Sequence, residues 1–576
     1  MRAKVFLSAA VVLAAVWAVG CGDSNTLDTD DAAAELPPVP PEVEGTVAEY
    51  ARLVHGGAIS VQGYGIVVGL GDKGSSEVPS HLAGYLEQYL RKQDLGRWTR
   101  GTESLTPQRI LRDRDTTVVL IGGSVPPGAP AGTRFDLHVT CLPQTQTRSL
   151  EGGILMPAEL RLAVGGVASP GGPSRVVAEG AGSVLVNPFM DSEETEARLS
   201  NARRGRVVGG GKVLWSRGLR IQLLEPDYSR CDLIGRRINA RFGSASEKPA
   251  NPRDSSVIEL TVPREYRGDY RHFLDLVMHL PLEWGPSAEE GKAWEVGRQM
   301  EQANADRESL ALIWEAIGRQ ILPVVKEHYT SDDPRVAYYA ARTGLRLGDE
   351  SALEIVLQAA GDPDSSLQTD AIRELGRHPH IPEGRPLLED LLNDQNEFVR
   401  FTAYRALLRR GGSSAIRRVN VSGEFEVHAV KSDRRYVIYA SQTDRPRIVL
   451  FGQDMTVQRP VFYNSPDDLV TINAHRDDDK LLVYRKIPSR GDYSDPFYVD
   501  CYVRELVRTL GDRPEPDDNG DIKGLGLTYG QVVSVLYRMC EEGDIPAKFV
   551  LQPLPELQRI YQEMPEVGRP DAPAES

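Results

Sequence analysis

Cysteine is scarce in this chain: five among 576 residues, none spaced C-x-x-C. Zinc ribbons and dithiol redox motifs, which need that spacing, have no support. Positive charge is in deficit. Sixty-seven Lys and Arg face 82 Asp and Glu, a net charge of −15 that argues against nucleic acid as a general partner. Long apolar runs are missing too. The N-terminal run Val5–Val19 has 15 residues, interrupted by Ser8, short of the ~20 that a spanning helix needs. Catalytic signatures fail one by one. Gly122-Gly123-Ser124-Val125-Pro126 lacks the final glycine of a nucleophile elbow. Asp517-Asp518-Asn519-Gly520-Asp521 resembles a calcium loop, but it would put Gly526 where the bidentate glutamate belongs. His378-Pro379-His380 with Glu383 has no third strong ligand in sequence. The expectation is a protein that is not an enzyme, with no metal site and no cofactor.

What is present begins at the N-terminus. Arg2 and Lys4 precede the apolar run, which ends in Ala18-Val19-Gly20-Cys21. Small residues before a cysteine after a short apolar segment read as a lipoprotein signal over residues 1–20, with the lipid on Cys21. Ordinary signal cleavage is the alternative. Gly22 gives no inner-membrane retention signal, so the chain is expected in the periplasm, anchored to the outer membrane. Residues 21–45 carry Asp23, Asp28, Asp30, Asp31 and the run Pro37-Pro38-Val39-Pro40-Pro41, and read as an extended tether. Residues 563–576 read as a disordered tail. Four cysteines remain in an exported chain, Cys141, Cys231, Cys501 and Cys540, enough for two disulfides. Cys501 with Cys540 is the expected pair. Cys231 lies on a helix-period stripe with Ile234, Ile238 and Phe242 and fits a core thiol.

Gly56–Ser76, GGAISVQGYGIVVGLGDKGSS, holds seven glycines around Ile66-Val67-Val68. It suggests a phosphate loop, but Gly63-Tyr64-Gly65 is followed by three apolar residues before Gly69, and Gly71-Asp72-Lys73-Gly74 supplies no G-K-[ST]. Glycines flanking a strand, serving turns and close backbone approach, are the better reading. Period-2 patterns predict strands at Gly65–Leu70, Thr116–Val125, Thr133–Cys141, Val213–Leu224 and Val257–Val262. Period-3.6 patterns predict helices over Ser80–Asp94, from Asp227 or Ser229 to Gly243, and over Tyr266–Leu280. In collinear order, the G-Y-G-I-V-V-G-L run, Ala131-Gly132-Thr133-Arg134-Phe135-Asp136, Ser149-Leu150-Glu151-Gly152-Gly153 and the Ile238-Asn239-x-x-Phe242-Gly243 helix end resemble signatures of the flagellar P-ring protein family. The resemblance covers residues 46–285. It implies a β-rich body, a ring-forming homo-oligomer around a rod or channel in the periplasm, and basal-body or other envelope proteins as partners. Gly63, Tyr64, Gly65, Gly69, Gly71, Gly152 and Gly153 are then candidate assembly elements. The family uses a plain signal peptide, so a lipid on Cys21 would be a departure.

Residues 286–416 change character. Val336, Ala340 and Gly344 align with Leu367, Ala371 and Leu375, then with Val399, Ala403 and Leu407, at offsets of 31 and 32 residues. An aspartate-bearing turn precedes each copy, at Asp333-Pro334, Asp362-Pro363 and Asp394, and an Asp-Pro ahead of a helix is expected to cap it and start it at the proline. This resembles HEAT-type repeats, which stack helix pairs and bind other proteins. Residues 417–562 return to alternating strands at Arg435–Ser441, Arg447–Gly452 and Lys480–Lys486, with a helix over Thr528–Cys540. The fold class is therefore multidomain α+β: a P-ring-like body, a HEAT-like helical segment and a β-rich C-terminal α+β domain. The alternative to a ring subunit is a lipid-anchored envelope scaffold that holds another protein through its helical repeats, without a flagellar role.

Overall fold

The computed structural model describes residues 40–54, 58–92, 106–163, 175–189, 195–216, 218–486, 493–516 and 522–552. The signal segment, Cys21, most of the tether, the Asp517–Asp521 loop and the tail lie outside the described residues. The described residues after 41 form one compact unit. The expected tether ends early. Val43 is buried, Thr46 Oγ1 donates to the Val43 carbonyl at 2.6 Å, and Leu282 N–H reaches the Gly45 carbonyl at 2.9 Å.

Strand β1 (Ala51–Val54) precedes a six-stranded closed barrel. Its strands are β2 (Ile59–Val68), β3 (Thr117–Val125), β4 (Arg134–Cys141), β5 (Ile154–Leu162), β6 (Val176–Ser183) and β7 (Arg204–Val213). They pair in the order β2-β3-β4-β7-β6-β5, and β5 returns to β2. Alternation sends Val61, Val67, Val119, Ile121, Phe135, Leu137, Val139, Leu155, Leu160 and Val207 inward. The inward positions also hold glycines, which make room for the large residues. Positions Gly123 and Gly211 both abut the Phe135 ring, with Cβ sites 2.7 and 2.6 Å from it. Alternating small and large residues in this way fills a small barrel with side chains. Register shifts in β2–β5, β4–β7 and β5–β6 supply the curvature that closes it. Outside, the helix Ser80–Lys92 lays Leu82, Leu86 and Leu90 on Ile66 and Val118.

The region expected as one strand, Val213–Leu224, splits at a turn into the end of β7 and β8 (Leu219–Leu223), because the two ends belong to different sheets. With β9 (Ala250–Pro252) and β10 (Val257–Leu260), β1 and β8 make a second sheet, ordered β1-β8-β10-β9. The helices Tyr228–Phe242 and Tyr270–Met278 cover it through Ile234, Ile238, Phe273 and Val277. Asp227 caps the first, accepting from Ser229 and Arg230 N–H at 2.8 and 3.2 Å. The second begins four residues later than its pattern suggests, after a 3-10 turn at Arg264–Tyr266.

The repeat residues fall where the HEAT reading puts them, on the helices Pro334–Arg346, Gln368–Arg377 and Glu397–Arg409, and Val336, Ala340, Ala371, Leu375, Val399, Ala403 and Leu407 are buried. Asp333 caps its helix through Arg335 N–H at 2.9 Å. Asp362 does not: it ends the preceding helix Leu353–Gly361, and the next starts only at Gln368. The stack also extends backwards to the helix Arg307–Ile317, which carries no repeat signature. Buried ions run across these helices. Arg346 bridges Glu315 at 3.0 Å and Glu374 at 2.6 Å, Glu374 meets His378 Nε2 at 3.0 Å, and Glu315 meets His272 of the P-ring-like body. Arg237 pairs with Glu289 at 2.7 Å, a second tie between body and array.

The C-terminal domain holds a mixed sheet of β11 (Ile416–Val421), β12 (Phe425–Val430), β13 (Val437–Ala440) and β14 (Arg447–Phe451), ordered β11-β12-β14-β13 and completed at its edge by the late strand Lys548–Leu551. An antiparallel sheet follows: β15 (Val461–Asn464), β16 (Val470–Ala474), β17 (Lys480–Arg485) and β18 (Phe497–Asp500). His475–Asp479 is the turn between β16 and β17. In the mixed sheet, Val430, Val437, Tyr439 and Val449 face the HEAT core, while Ile438, Ile448 and Leu450 face the helices Val503–Gly511 and Tyr529–Glu541. Burial on both faces explains the continuous apolar runs of these strands.

Burial alone would raise the Glu374 carboxyl, but the adjacent Arg346 guanidinium holds it far below the usual glutamate range. A depressed native pKa contributes stability above the ordinary glutamate pKa of ~4.3, and that stability is lost as pH falls through the native value. Glu374→Gln should therefore cost about 3 kcal/mol at neutral pH by leaving Arg346 half-paired. Its denaturant midpoint should also fall less steeply than wild type below about pH 4.5. Equal acid dependence of the two proteins would contradict this role for the pair.

Candidate functional site

The glycines proposed as assembly elements each meet their own chain. Gly63 and Gly65 lie inside β2 rather than beside it. A Cβ at Gly63 would collide with the Glu159 carbonyl of β5, and one at Gly65 would sit 2.6 Å from the Ile121 side chain and 3.1 Å from Leu155. Tyr64 points outward and packs, half-buried, in the layer beneath the helix Ser80–Lys92. Gly69 and Gly71 adopt φ of +81° and +65°, which side-chain-bearing residues avoid. Their N–H groups converge on an anion, as a phosphate loop's would, but the anion is internal. Asp115 Oδ2 accepts from Gly69 at 3.2 Å and Oδ1 from Gly71 at 2.7 Å, while Leu70 N–H bonds the Asp115 carbonyl at 3.0 Å. Burial raises the Asp115 carboxyl, opposed by those two donors.

The Ser149–Gly153 turn faces the C-terminal domain. Gly152, at φ +81°, lies against Gln531, its Cβ site 2.5 Å from that amide, and Glu151 Oε1 accepts from Ser534 Oγ at 2.9 Å. Gly153 closes onto Val67 and Leu70. Gly530, in the first turn of the helix Tyr529–Glu541, abuts the Val184 carbonyl, its Cβ site 2.7 Å away. Leu185 and Val208 of the barrel side join the C-terminal core, and Phe189 stacks with Tyr537 and Phe549 at 4.6 and 5.9 Å. Next to this seam is a cavity of about 190 Å³ lined by Lys73, Glu151, Asp467, Gln531, Ser534 and Arg538, among others. Lys73 spans it to Asp467 at 3.0 Å. Burial raises the Asp467 carboxyl, but the Lys73 ammonium outweighs it, so the group sits below its usual value. A ring element on this turn would have to displace the chain's own C-terminal domain.

The other motif residues are structural clamps. Arg134 donates to the Gly209 carbonyl at 3.1 Å, and Asp136 Oδ1 accepts from Gly209 N–H at 2.7 Å and from Asp444 N–H at 3.2 Å, joining barrel to C-terminal domain. Asn239 exchanges two hydrogen bonds with Ala250, at 2.8 and 2.9 Å, and so positions β9. Phe242 packs edge-on against Tyr266 and Phe273. Sequence reasoning missed the seam between barrel and C-terminal domain. The sequence carries no signal for it, because Asp136 takes an ordinary outward position in an alternating strand.

Cys501 and Cys540 are free thiols, and the expected disulfide between them is corrected. The Cys501 sulfur is directed at the Asp479 carbonyl, 3.5 Å away, while Cys540 sits on the helix Tyr529–Glu541, where burial pushes its thiol up to about 12. Cys141 and Cys231 are buried free thiols, as the stripe around Cys231 suggested. His378 is committed to Glu374, with the His380 ring 5.6 Å from its own. Among the described residues no three His, Cys, Asp or Glu side chains cluster to hold a metal, and no helix is long and apolar enough to cross a membrane.

With these elements in place, comparison with known proteins is informative. The family model described as Flagellar P-ring protein matches residues 48–289, and that for HEAT repeats matches 355–419. Curated flagellar P-ring proteins align over the same N-terminal region. That of Anaeromyxobacter dehalogenans (strain 2CP-C) is 28% identical over 249 residues, 41% of this chain and 60% of the relative. That of Geobacter metallireducens is 27% identical over 221 residues, 37% and 54%. That of Aquifex aeolicus is 27% identical over 212 residues, 35% and 52%. The chain thus spans 52–60% of the length of these relatives. The N-terminal body, barrel and second sheet together, is similar to the flagellar P-ring protein, and the helical segment that follows is similar to HEAT repeats.

Proposed function

We propose that this chain is an exported structural subunit of P-ring type. It would assemble into a ring around a rod or channel in the periplasm and be held to the outer membrane by a lipid on Cys21. The observation that carries the reading is where the similarity begins and ends. Residues 48–289 take in the whole barrel and the whole second sheet with its two covering helices. A complete folding unit, rather than a motif, is shared, and the structural role is carried over from it by analogy at the level of the fold. A cyclic ring needs two different patches that meet on neighbouring copies. The barrel is closed, so it offers no free strand edge, and the glycines singled out from the sequence are spent on contacts within the chain. Ring contacts would then fall on outward side chains, on the edges of the second sheet at β1 and β9, or on the added domains. An envelope scaffold without a flagellar role is the second reading, favoured by the C-terminal domain covering the Ser149–Gly153 turn.

Electron microscopy of the protein extracted from native envelopes should show closed rings. Strictly monomeric particles under every extraction condition would favour the scaffold. Cys21→Ser should move the protein from the membrane to the soluble envelope fraction, and unchanged fractionation would remove the anchor. Gly63→Val separates an internal role from an assembly role. Because a backbone carbonyl blocks the new side chain, the variant should lose at least about 1–3 kcal/mol of stability in the isolated subunit. A fully stable monomer that merely fails to form rings would restore Gly63 to the interface.

A further inference from the structure

We propose that a four-arginine patch, where two HEAT helices cross, is a docking site for an acidic segment of another protein. The helices are Gln368–Arg377 and Glu397–Arg409. They touch at Gly376, whose Cβ site lies 2.8 Å from Ala406 Cα, so the backbones meet with no side chain between them. Arg373 and Arg377 lie three residues before and one after that contact; Arg405 and Arg409 lie one before and three after it on the facing helix. The close crossing gathers four guanidinium groups on one small surface.

Their partners do not balance them. Asp370 pairs with Arg373 at 2.6 Å and Asp269 with Arg377 at 3.0 Å. Arg405 and Arg409 are exposed. Arg405 lies over the Phe401 ring, 5.9 Å from its centre, and among the described residues Arg409 has no hydrogen bond or ion pair. Partial desolvation of its side chain, then the charges of Arg377 and Arg405, lowers the Arg409 guanidinium against the opposing charge of Asp269, with Arg373 adding a smaller push, which agrees with like charges crowded together. Arg410, the next residue, shows what a structural arginine does here. It is buried and donates to the Leu375 and His378 carbonyls at 2.7 and 2.6 Å, and to that of Ile381. Arg405 and Arg409 do none of this. They stay positive and unused in a chain of net charge −15.

The surface favours a peptide over a bilayer. Arg405 and Arg409 continue a stripe with Phe398, which is 44% exposed, and Phe401 along one helix face. A peptide can place carboxylates on the guanidinium forks and its chain over the rings. A flat anionic sheet would also meet the carboxylates of Asp269 and Asp370 at the edge of the patch. Charge elsewhere on the molecule is screened beyond ~8 Å at physiological salt. The site depends on the helix packing alone and stands whether or not the chain forms rings.

The test uses the mature full-length protein and a short fluorescent peptide of alternating glutamate and serine, with its glutamine counterpart as control, read by anisotropy at low and high salt. The glutamate peptide should bind, weaken with salt, and bind at least about tenfold more weakly to Arg405→Glu/Arg409→Glu, whose thermal midpoint should match wild type. Arg405→Lys/Arg409→Lys should retain part of the affinity. Equal binding of both peptides, or unchanged binding by the Glu double variant, overturns the proposal. So does arginine-dependent binding to phosphatidylglycerol vesicles with no binding of the glutamate peptide. A ring failure in the microscopy would leave this result unaffected.

Discussion

The close passage of β2 past β5 sets the geometry of the whole N-terminal body. At Gly63 the two backbones approach until the Glu159 carbonyl occupies the space of a side chain, and at Gly65 the Ile121 and Leu155 side chains do the same. Closure of six strands needs such a pinch, because a small barrel has no interior volume to spare. With the pinch made, Phe135 and Leu137 fill the middle through the gaps left at Gly123, Gly180 and Gly211. The outward face of β2 then presents Ile66 to the helix Ser80–Lys92. The sharp exit from the strand, at Gly69 and Gly71, is held by the Asp115 carboxylate. What resembled a ligand cradle is a turn that binds its own chain.

The second constraint is charge without water. Two glutamates, one arginine and two histidines run in line from His272 through Glu315, Arg346 and Glu374 to His378, crossing from the P-ring-like body through the helix Arg307–Ile317 into two HEAT helices. Removed from solvent, each carboxylate is tolerable only beside its partners, so the helices are held in one register relative to the body. The mixed C-terminal sheet extends the same logic with apolar contacts, one face in the HEAT core and one in its own. Among the described residues, the result is packing that runs from the barrel through the helical array to the C-terminal domain.

Periodicity made much of this readable. Strands and helices of the body, the three HEAT helices and the helix beginning at Tyr529 follow from apolar spacing and caps, because local pattern and tertiary burial agree there. The failures have physical causes. The glycines of β2 looked like punctuation because an inward glycine in a strand and a glycine in a turn are the same letter; only the partner strand distinguishes them. Asp362 looked like a cap because Asp-Pro starts helices, yet here a longer turn intervenes. The disulfide inference rested on both cysteines sharing a domain and export, which says nothing of the direction of either sulfur. The seam at Asp136, Gly209 and Asp444 was invisible because the donors to the Asp136 carboxylate are backbone N–H groups, one of them 308 positions away, and backbone donors leave no trace in a sequence.

That seam also changes how a ring could be built from this subunit. In a chain made only of the P-ring-like body, the Ser149–Gly153 turn and the Val184–Phe189 segment would be free surface. Here Gln531, Ser534, Gly530 and Tyr537 occupy them. Two copies cannot use a face that each already covers, and a closed barrel has no unpaired strand to lend. For a ring of the proposed kind, that leaves the rest of the barrel surface, the open edges of the second sheet at β1 and β9, and the added domains. Gly530 and Gly152 approach their neighbours closely, with Cβ sites 2.7 and 2.5 Å from the facing atoms. A seam packed to that density does not open readily for a partner. In a ring of the proposed kind, the C-terminal domain would travel with the N-terminal body as one packed unit.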